Sequence, residues 1–228
     1  MSNSSLVVYT KLSPHNKGKR TVAIERITPH CVVGQCTIEA LGAEFSKPSK
    51  NASSNYGIDK DGRIGMFVPE DSRSICSSSS DNDNRAVTIE CASDTTSPWA
   101  FRYAVYLRLI ELCVDICQRN GKTKLLWIPD KDTALSYHPK PDEMLLTVHR
   151  WFANKACPGD WMMARMGDLA SKVTSILVPE EENWYDDAMK WVQDQGIMLD
   201  GRPTDQITRA EVATMFMRYD NYLHSKEE

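Results

Sequence analysis

The sequence predicts an α/β fold in which a central, mostly mixed β-sheet is flanked by helices and followed by a small two-helix C-terminal unit. Three observations carry this. Short runs rich in β-branched residues alternate with stretches of helical apolar spacing over residues 1–177. The break "VPEEEN", at 178–183, reads as a linker, and two helical segments follow over 184–228. With 228 residues the chain can hold one domain with a full core and one small additional unit.

Taken in order, Leu6–Thr10 and Thr21–Ile27 read as strands, and His30 follows the second directly. From Thr37, "TIEALGAEFS" sets apolar residues at 38, 41 and 45, the spacing of a short helix packed on a sheet. Two apolar runs flank Asp61-Gly62 in "SNYGIDKDGRIGMFV", a hairpin signal because glycine accepts positive φ, and Tyr56 falls on its first strand. "ICSSSSDNDNR" (75–85) reads as a polar loop, and "AVTIECA" as a half-buried strand carrying Glu90.

The clearest helix spans Pro98–Asn120, with Ser97 as N-cap, Pro98 in its first turn and Gly121 closing it. "KLLWI" (124–128) reads as a strand, a loop with Pro139 and Pro141 follows, and "MLLTVHRW" reads as a strand bearing His149. Pro158 opens a helix to about Leu177. In the tail, a helix over Trp184–Gln195 stops at Gly196, "DGRPTD" makes a turn, and Thr208 to Glu211 form a capping box for a second helix.

Composition narrows the function. Hydrophobic residues make up 41%, charged residues 25%, and the net charge is -4, a balance without a polyanion-binding surface, so no nucleic-acid partner is expected. The one basic cluster, "NKGKR" at 16–20, contains a glycine between apolar runs and reads as a solvated turn. No apolar run approaches the roughly 18 residues of a membrane span. The start "MSNSSLVVYTK" lacks the basic and long apolar regions of an export signal, which predicts synthesis in the cytoplasm. Seven cysteines, an odd number in a chain too large to need stapling, point to reduced thiols. Cys113 and Cys117, four apart on the central helix, suit a core role.

Three side chains have metal-ligand chemistry: His30 after a strand, His149 on one, and Cys157 ahead of a helix. Two imidazoles and a thiolate suit tetrahedral Zn2+ with the fourth position left for water, the arrangement of a catalytic rather than a structural site. The helix dipole and Lys155 are expected to lower the Cys157 thiol pKa. An amide hydrolase on this plan needs a base, for which Glu90 and Tyr56 are candidates, and an oxyanion donor, for which Lys155 is the candidate.

"ITPHC", "SSNYGI", "DNDNRAVTIECA" and "TVHRWFANKACPGDW", in this order, resemble the zinc-dependent N-acetylmuramoyl-L-alanine amidases of type 2, the superfamily of phage amidase lysozymes, bacterial autolysins and peptidoglycan-recognition proteins. The likeness covers roughly residues 5–177. It implies His30, His149 and Cys157 as the metal ligands, Tyr56 and Lys155 as catalytic residues, and Glu90 as the base that some members use. The implied reaction is cleavage of the amide between N-acetylmuramic acid and L-alanine of the stem peptide, with bacterial peptidoglycan as substrate at the cell wall and a phage or prophage endolysin as the role.

The tail resembles a single S-layer homology repeat, chiefly in "WVQDQGI" and "ITRAEVATMFMR". This implies binding to a secondary cell-wall polymer. A two-helix unit can hardly bury its own apolar face, so homodimerisation through Trp184, Trp191, Met215 and Phe216 is the alternative. Two rival readings accompany the main one. A cysteine hydrolase would use Cys157 as nucleophile and His149 as base, and a non-catalytic peptidoglycan-binding module would keep the fold without the reaction.

Overall fold

The computed structural model describes residues 3–178, 185–198 and 205–225. Two compact units divide the chain, Met1–Pro179 and Glu180–Glu228. The expected linker at 178–183 lies, from 179 on, outside the described residues, as do Trp184 and all but the last residue of the "DGRPTD" turn.

The first unit is built on a seven-stranded sheet: β1 (Val7–Thr10), β2 (Arg26–Cys31), β3 (Tyr56–Ile58), β4 (Ile64–Met66), β5 (Ala86–Cys91), β6 (Lys124–Leu126) and β7 (Glu143–Leu146). Their order is β1-β4-β3-β5-β2-β7-β6. Only β3 and β4 pair antiparallel, so the sheet is mixed. Gly62, at φ 84°, turns the chain between them, with the Asp59 carboxylate accepting the Asp61 and Arg63 N–H groups.

Helices cover both faces. On one, α1 (Ile38–Phe45) is capped by the Thr37 hydroxyl and buries Leu41 and Phe45 against Phe67. Gly57 on β3 permits that approach, because a Cβ there would meet Leu41 Cδ2 at 2.6 Å. On the other, α3 (Tyr103–Arg119) and α6 (Met166–Leu177) enclose the main core, with Leu109, Leu112, Cys113, Ile116 and Cys117 inaccessible to solvent. Both cysteines therefore act as small apolar residues, and all seven thiols are free.

The structure shifts several expected boundaries. The second strand begins at Arg26 rather than Thr21 and runs through His30 itself. Polar 80–85 is a helix, α2 (Ser80–Arg85), capped by Ser79, and the loop after β6 holds a second short helix, α4 (Lys131–Ser136), capped by Asp130. The central helix starts at Tyr103, not Pro98, because Trp99 takes a left-handed φ of 57° and its N–H closes a turn on Thr96. β5 is buried on both faces rather than half-buried. β7 ends at Leu146, and His149 sits in a 3₁₀ turn (His149–Trp151) beyond it. The helix expected from Pro158 is divided into α5 (Asp160–Met163) and α6.

In the second unit, α7 (Asp186–Asp194) precedes Gly196 at φ 69°, and α8 (Arg209–His224) carries the Thr208–Glu211 capping box. An apolar cavity of about 290 Å³ lies between them, lined by Trp191, Ile197, Val212, Met215 and Phe216 among others. Phe216 remains 67% exposed. Among the described residues, no helix is long and apolar enough to cross a membrane.

Beneath α3 lies a buried charge system. The inaccessible Glu70 carboxylate accepts two bonds from the Arg119 guanidinium, at 2.5 and 2.8 Å, and one from the Tyr56 hydroxyl at 2.7 Å. Removing one partner of such a pair strands the other in a low-dielectric interior. Arg119→Met, which keeps the apolar stem, is expected to cost about 3–5 kcal/mol at neutral pH, measured as a lowered urea midpoint.

Candidate metal centre

The parallel pairing of β2 with β5 sets His30 directly beside Glu90, so both side chains leave the same face of the sheet near the C-terminal ends of their strands. His149 enters from the turn after β7, and Cys157 from the loop that returns from it. That loop is tied back by Arg150, whose N–H donates to the Cys157 carbonyl and whose guanidinium reaches the Ala156 carbonyl and Asp160.

Nitrogen and sulfur donor atoms of His30, His149 and Cys157 all lie within 4.8 Å of one another, as do a nitrogen, the sulfur and a carboxylate oxygen of a second set, His30, Cys76 and Glu90. Cys157 Sγ is 3.3 Å from His30 Nδ1 and accepts the Cys31 N–H at 3.4 Å. The two imidazoles meet edge-on, with ring centroids 5.1 Å apart. His149 Nε2 is 2.9 Å from Ser78 Oγ. Cys76 Sγ donates to Glu90 Oε1 at 3.7 Å. Two enclosed polar atoms, His30 Nε2 and Glu90 Oε2, have no hydrogen-bond partner.

Electrostatics follow from this enclosure. Burial, with a smaller contribution from His149, pushes the His30 pKa down to about 3, keeping the ring neutral, as a metal donor must be. Burial and then the Lys155 charge lower that of His149. Glu90 is partly exposed as a residue, but its Oε2 is enclosed, and burial raises its pKa to about 7. The Cys157 thiol is held above its ordinary value by the hydrogen bond shared with Cys31 and by burial. This reverses the expected lowering. The helix that was to supply a dipole starts only at Asp160 and is four residues long, and Lys155 is exposed on the turn.

The structure thus brings together His30, His149, Cys157 and Glu90, and places Lys155 two residues before Cys157. It does not bring Tyr56 to them. Tyr56 pairs with Ile89, one residue out of step with Glu90, so its side chain leaves the opposite face. There its oxygen accepts the Ser4 N–H at 2.9 Å while its hydroxyl donates to Glu70, and burial raises its pKa. The expectation that Tyr56 serves as a base at the cluster is corrected accordingly. Cys157 Sγ faces His30 Nδ1 and His149 Nε2 faces Ser78 Oγ, so the expected pairing of Cys157 as nucleophile with His149 as base is not the one observed.

Cys76 and Ser78 were not singled out from the sequence. Nothing in a run of serines points to a metal site. Their placement comes from Asp83, whose carboxylate accepts the Cys76 and Ser77 N–H groups at 3.1 and 2.9 Å.

Imidazole, thiol and carboxylate side chains gathered at the ends of parallel strands equip this fold as a hydrolase. The N-acetylmuramoyl-L-alanine amidase family matches residues 20–160, and the chain belongs to it. It is accordingly a peptidoglycan hydrolase that cleaves the amide between N-acetylmuramic acid and L-alanine. Among solved structures, the chain is similar to a mutant endolysin from Bacillus subtilis (14% identity, TM-score 0.52, 76% of this chain and 99% of that one). It is also similar to a selenomethionine derivative of AmpD (18%, 0.52, 75% and 99%) and to the Staphylococcus aureus hydrolase AmiA in complex with its ligand (14%, 0.52, 77% and 87%). At these identities the likeness shows the fold. No curated protein matches the chain.

The raised Glu90 pKa carries a stability signature. In the metal-free folded protein the carboxyl keeps its proton up to about pH 7, whereas the unfolded chain releases it near 4.5. The folded state therefore binds more protons in that window, and Glu90 makes stability fall as pH rises through it. Glu90→Gln is expected to flatten that fall, seen in urea midpoints of metal-free protein measured across the window.

Proposed function

We propose that the amidase works as a zinc enzyme in which His30, His149 and Cys157 hold the ion, Glu90 is the general base and Lys155 the oxyanion donor. The observation that carries this reading is the His30–His149–Cys157 cluster itself, three donors of borderline-soft character within 4.8 Å of one another. The enclosed, partnerless Glu90 Oε2 fits a site built for more than protein–protein bonds. When bound, zinc lowers the pKa of water from about 15.7 to about 7 and polarises a carbonyl.

The residues of the chain do the rest. The Glu90 carboxyl, with its pKa near 7, is matched to taking a proton from the attacking water and returning it to the leaving amine of L-alanine. Oε2 is the atom for this, since Oε1 already accepts the Cys76 thiol. Lys155, exposed on the turn between two ligands, supplies positive charge where the tetrahedral oxyanion forms. Tyr56 has no part in this scheme.

On the same reading the protein is an endolysin of phage or prophage that acts on the bacterial wall. The second unit, which resembles an S-layer homology repeat and exposes Phe216 and Met217, attaches to a wall polymer or pairs with a second copy.

Prolonged chelation is expected to abolish release of free stem peptides from purified wall, and stoichiometric zinc to restore it, with fragments identified by mass spectrometry and metal quantified in the same sample. Activity untouched by complete metal removal would rule the zinc reading out. Deletion of 180–228 is expected to leave hydrolysis of soluble muropeptides intact while reducing retention on intact wall or the oligomer size. If neither changes, the unit serves some other purpose.

A further inference from the structure

We propose that Ser78 is a positioning residue for His149: its hydroxyl holds the Nε2–H of the imidazole and thereby commits Nδ1 to the metal. The inference deepens the zinc reading above and rests on it. A neutral imidazole carries one N–H and one lone pair, and the partner of one nitrogen decides which atom is left to act as ligand. Ser78 Oγ lies 2.9 Å from His149 Nε2. On His30 the nitrogen facing Cys157 Sγ, at 3.3 Å, is Nδ1. With the Ser78 oxygen accepting from Nε2 of His149, Nδ1 is the nitrogen left with a lone pair, so on this proposal Nδ1 is the ligand atom of both histidines.

The local backbone supports a built arrangement. Ser78 has φ 64°, a left-handed conformation that glycine would adopt more easily but without a hydroxyl to offer. Bonds on either side impose it. The Cys76 and Ser77 N–H groups are fixed on Asp83, the Ser77 hydroxyl donates to the Ser79 carbonyl at 3.3 Å, and the Ser79 hydroxyl caps α2. A disfavoured backbone conformation enforced from both sides, with its side chain on a proposed ligand, fits the tendency of such conformations to gather at functional sites. The same turn places Cys76 on Glu90, so two residues two positions apart each hold one side chain of the site.

The test uses the full chain, with zinc affinity measured by competition against a chromophoric chelator. Ser78→Ala is expected to bind zinc about tenfold or more weakly than the parent. Ser80→Ala, an exposed serine in the same run, is expected to bind as the parent does. In two-bond proton–nitrogen spectra of the zinc-free parent, His149 is expected as the Nε2–H tautomer, with the Nδ1–H form gaining in Ser78→Ala. A parent that binds zinc no more tightly than Ser78→Ala, or a His149 protonated at Nδ1, overturns the proposal. A parent that takes up no zinc at all overturns the zinc reading instead, and the tautomer spectrum then decides the role of Ser78 by itself.

Discussion

Everything at the site depends on the register of β2 against β5. Six consecutive pairs, from Arg26–Ala86 to Cys31–Cys91, lock the two central strands, and the His30–Glu90 pair is one rung of that ladder. Because side chains alternate along a strand, a slip of one residue would send either group to the opposite face. Such a slip is opposed by what lies along the same face. Thr28 and Thr147 share a hydrogen bond at 2.7 Å, and both bond Asn82, while Thr88 exchanges bonds with Asn55, all buried. Each of these groups would be left unsatisfied in another register, a cost of about 1–3 kcal/mol for each buried polar group.

That polar lining also explains how a loop of serines and asparagines can be as well determined as a strand. Asn82 and Asp83, inside a six-residue polar helix, point inward and are almost inaccessible. Asn82 bonds Thr28 and Thr147 beneath the site, and Asp83 gathers the backbone of Cys76 and Ser77 above it. Sheet and loop are joined by hydrogen bonds where apolar packing would ordinarily serve, which suits a region that must stay open to a polar substrate.

Local signals carried much of the fold into the sequence. Asp61-Gly62 and the Thr208–Glu211 box announce a turn and a helix start through contacts a few residues long, and both stand where the pattern puts them. The short helices α2 and α4 were illegible because a six-residue polar segment shows no apolar period, although Ser79 and Asp130 cap them. The start of α3 was misplaced because the left-handed Trp99 cannot be read from a serine-proline pair. At the site, His30, His149, Cys157 and Glu90 could be named from residue chemistry and family resemblance. Tyr56 could not be placed, since its face is set by pairing with Ile89, and no local pattern distinguishes that from pairing with Glu90. Cys76 and Ser78 owe their positions to a carboxylate several residues further on.

The buried Glu70 has a consequence for the order in which the chain can settle. Its backbone N–H bonds the Asn3 side chain, and its carboxylate holds Tyr56, whose oxygen accepts the Ser4 N–H. The countercharge for that carboxylate, Arg119, arrives at the far end of α3. The segment carrying Asn3 and Ser4 therefore docks on a carboxylate whose countercharge comes from a distant part of the chain. Contacts between residues so distant in sequence carry a loop-closure cost that neighbouring contacts do not, so this docking is expected to form late in folding.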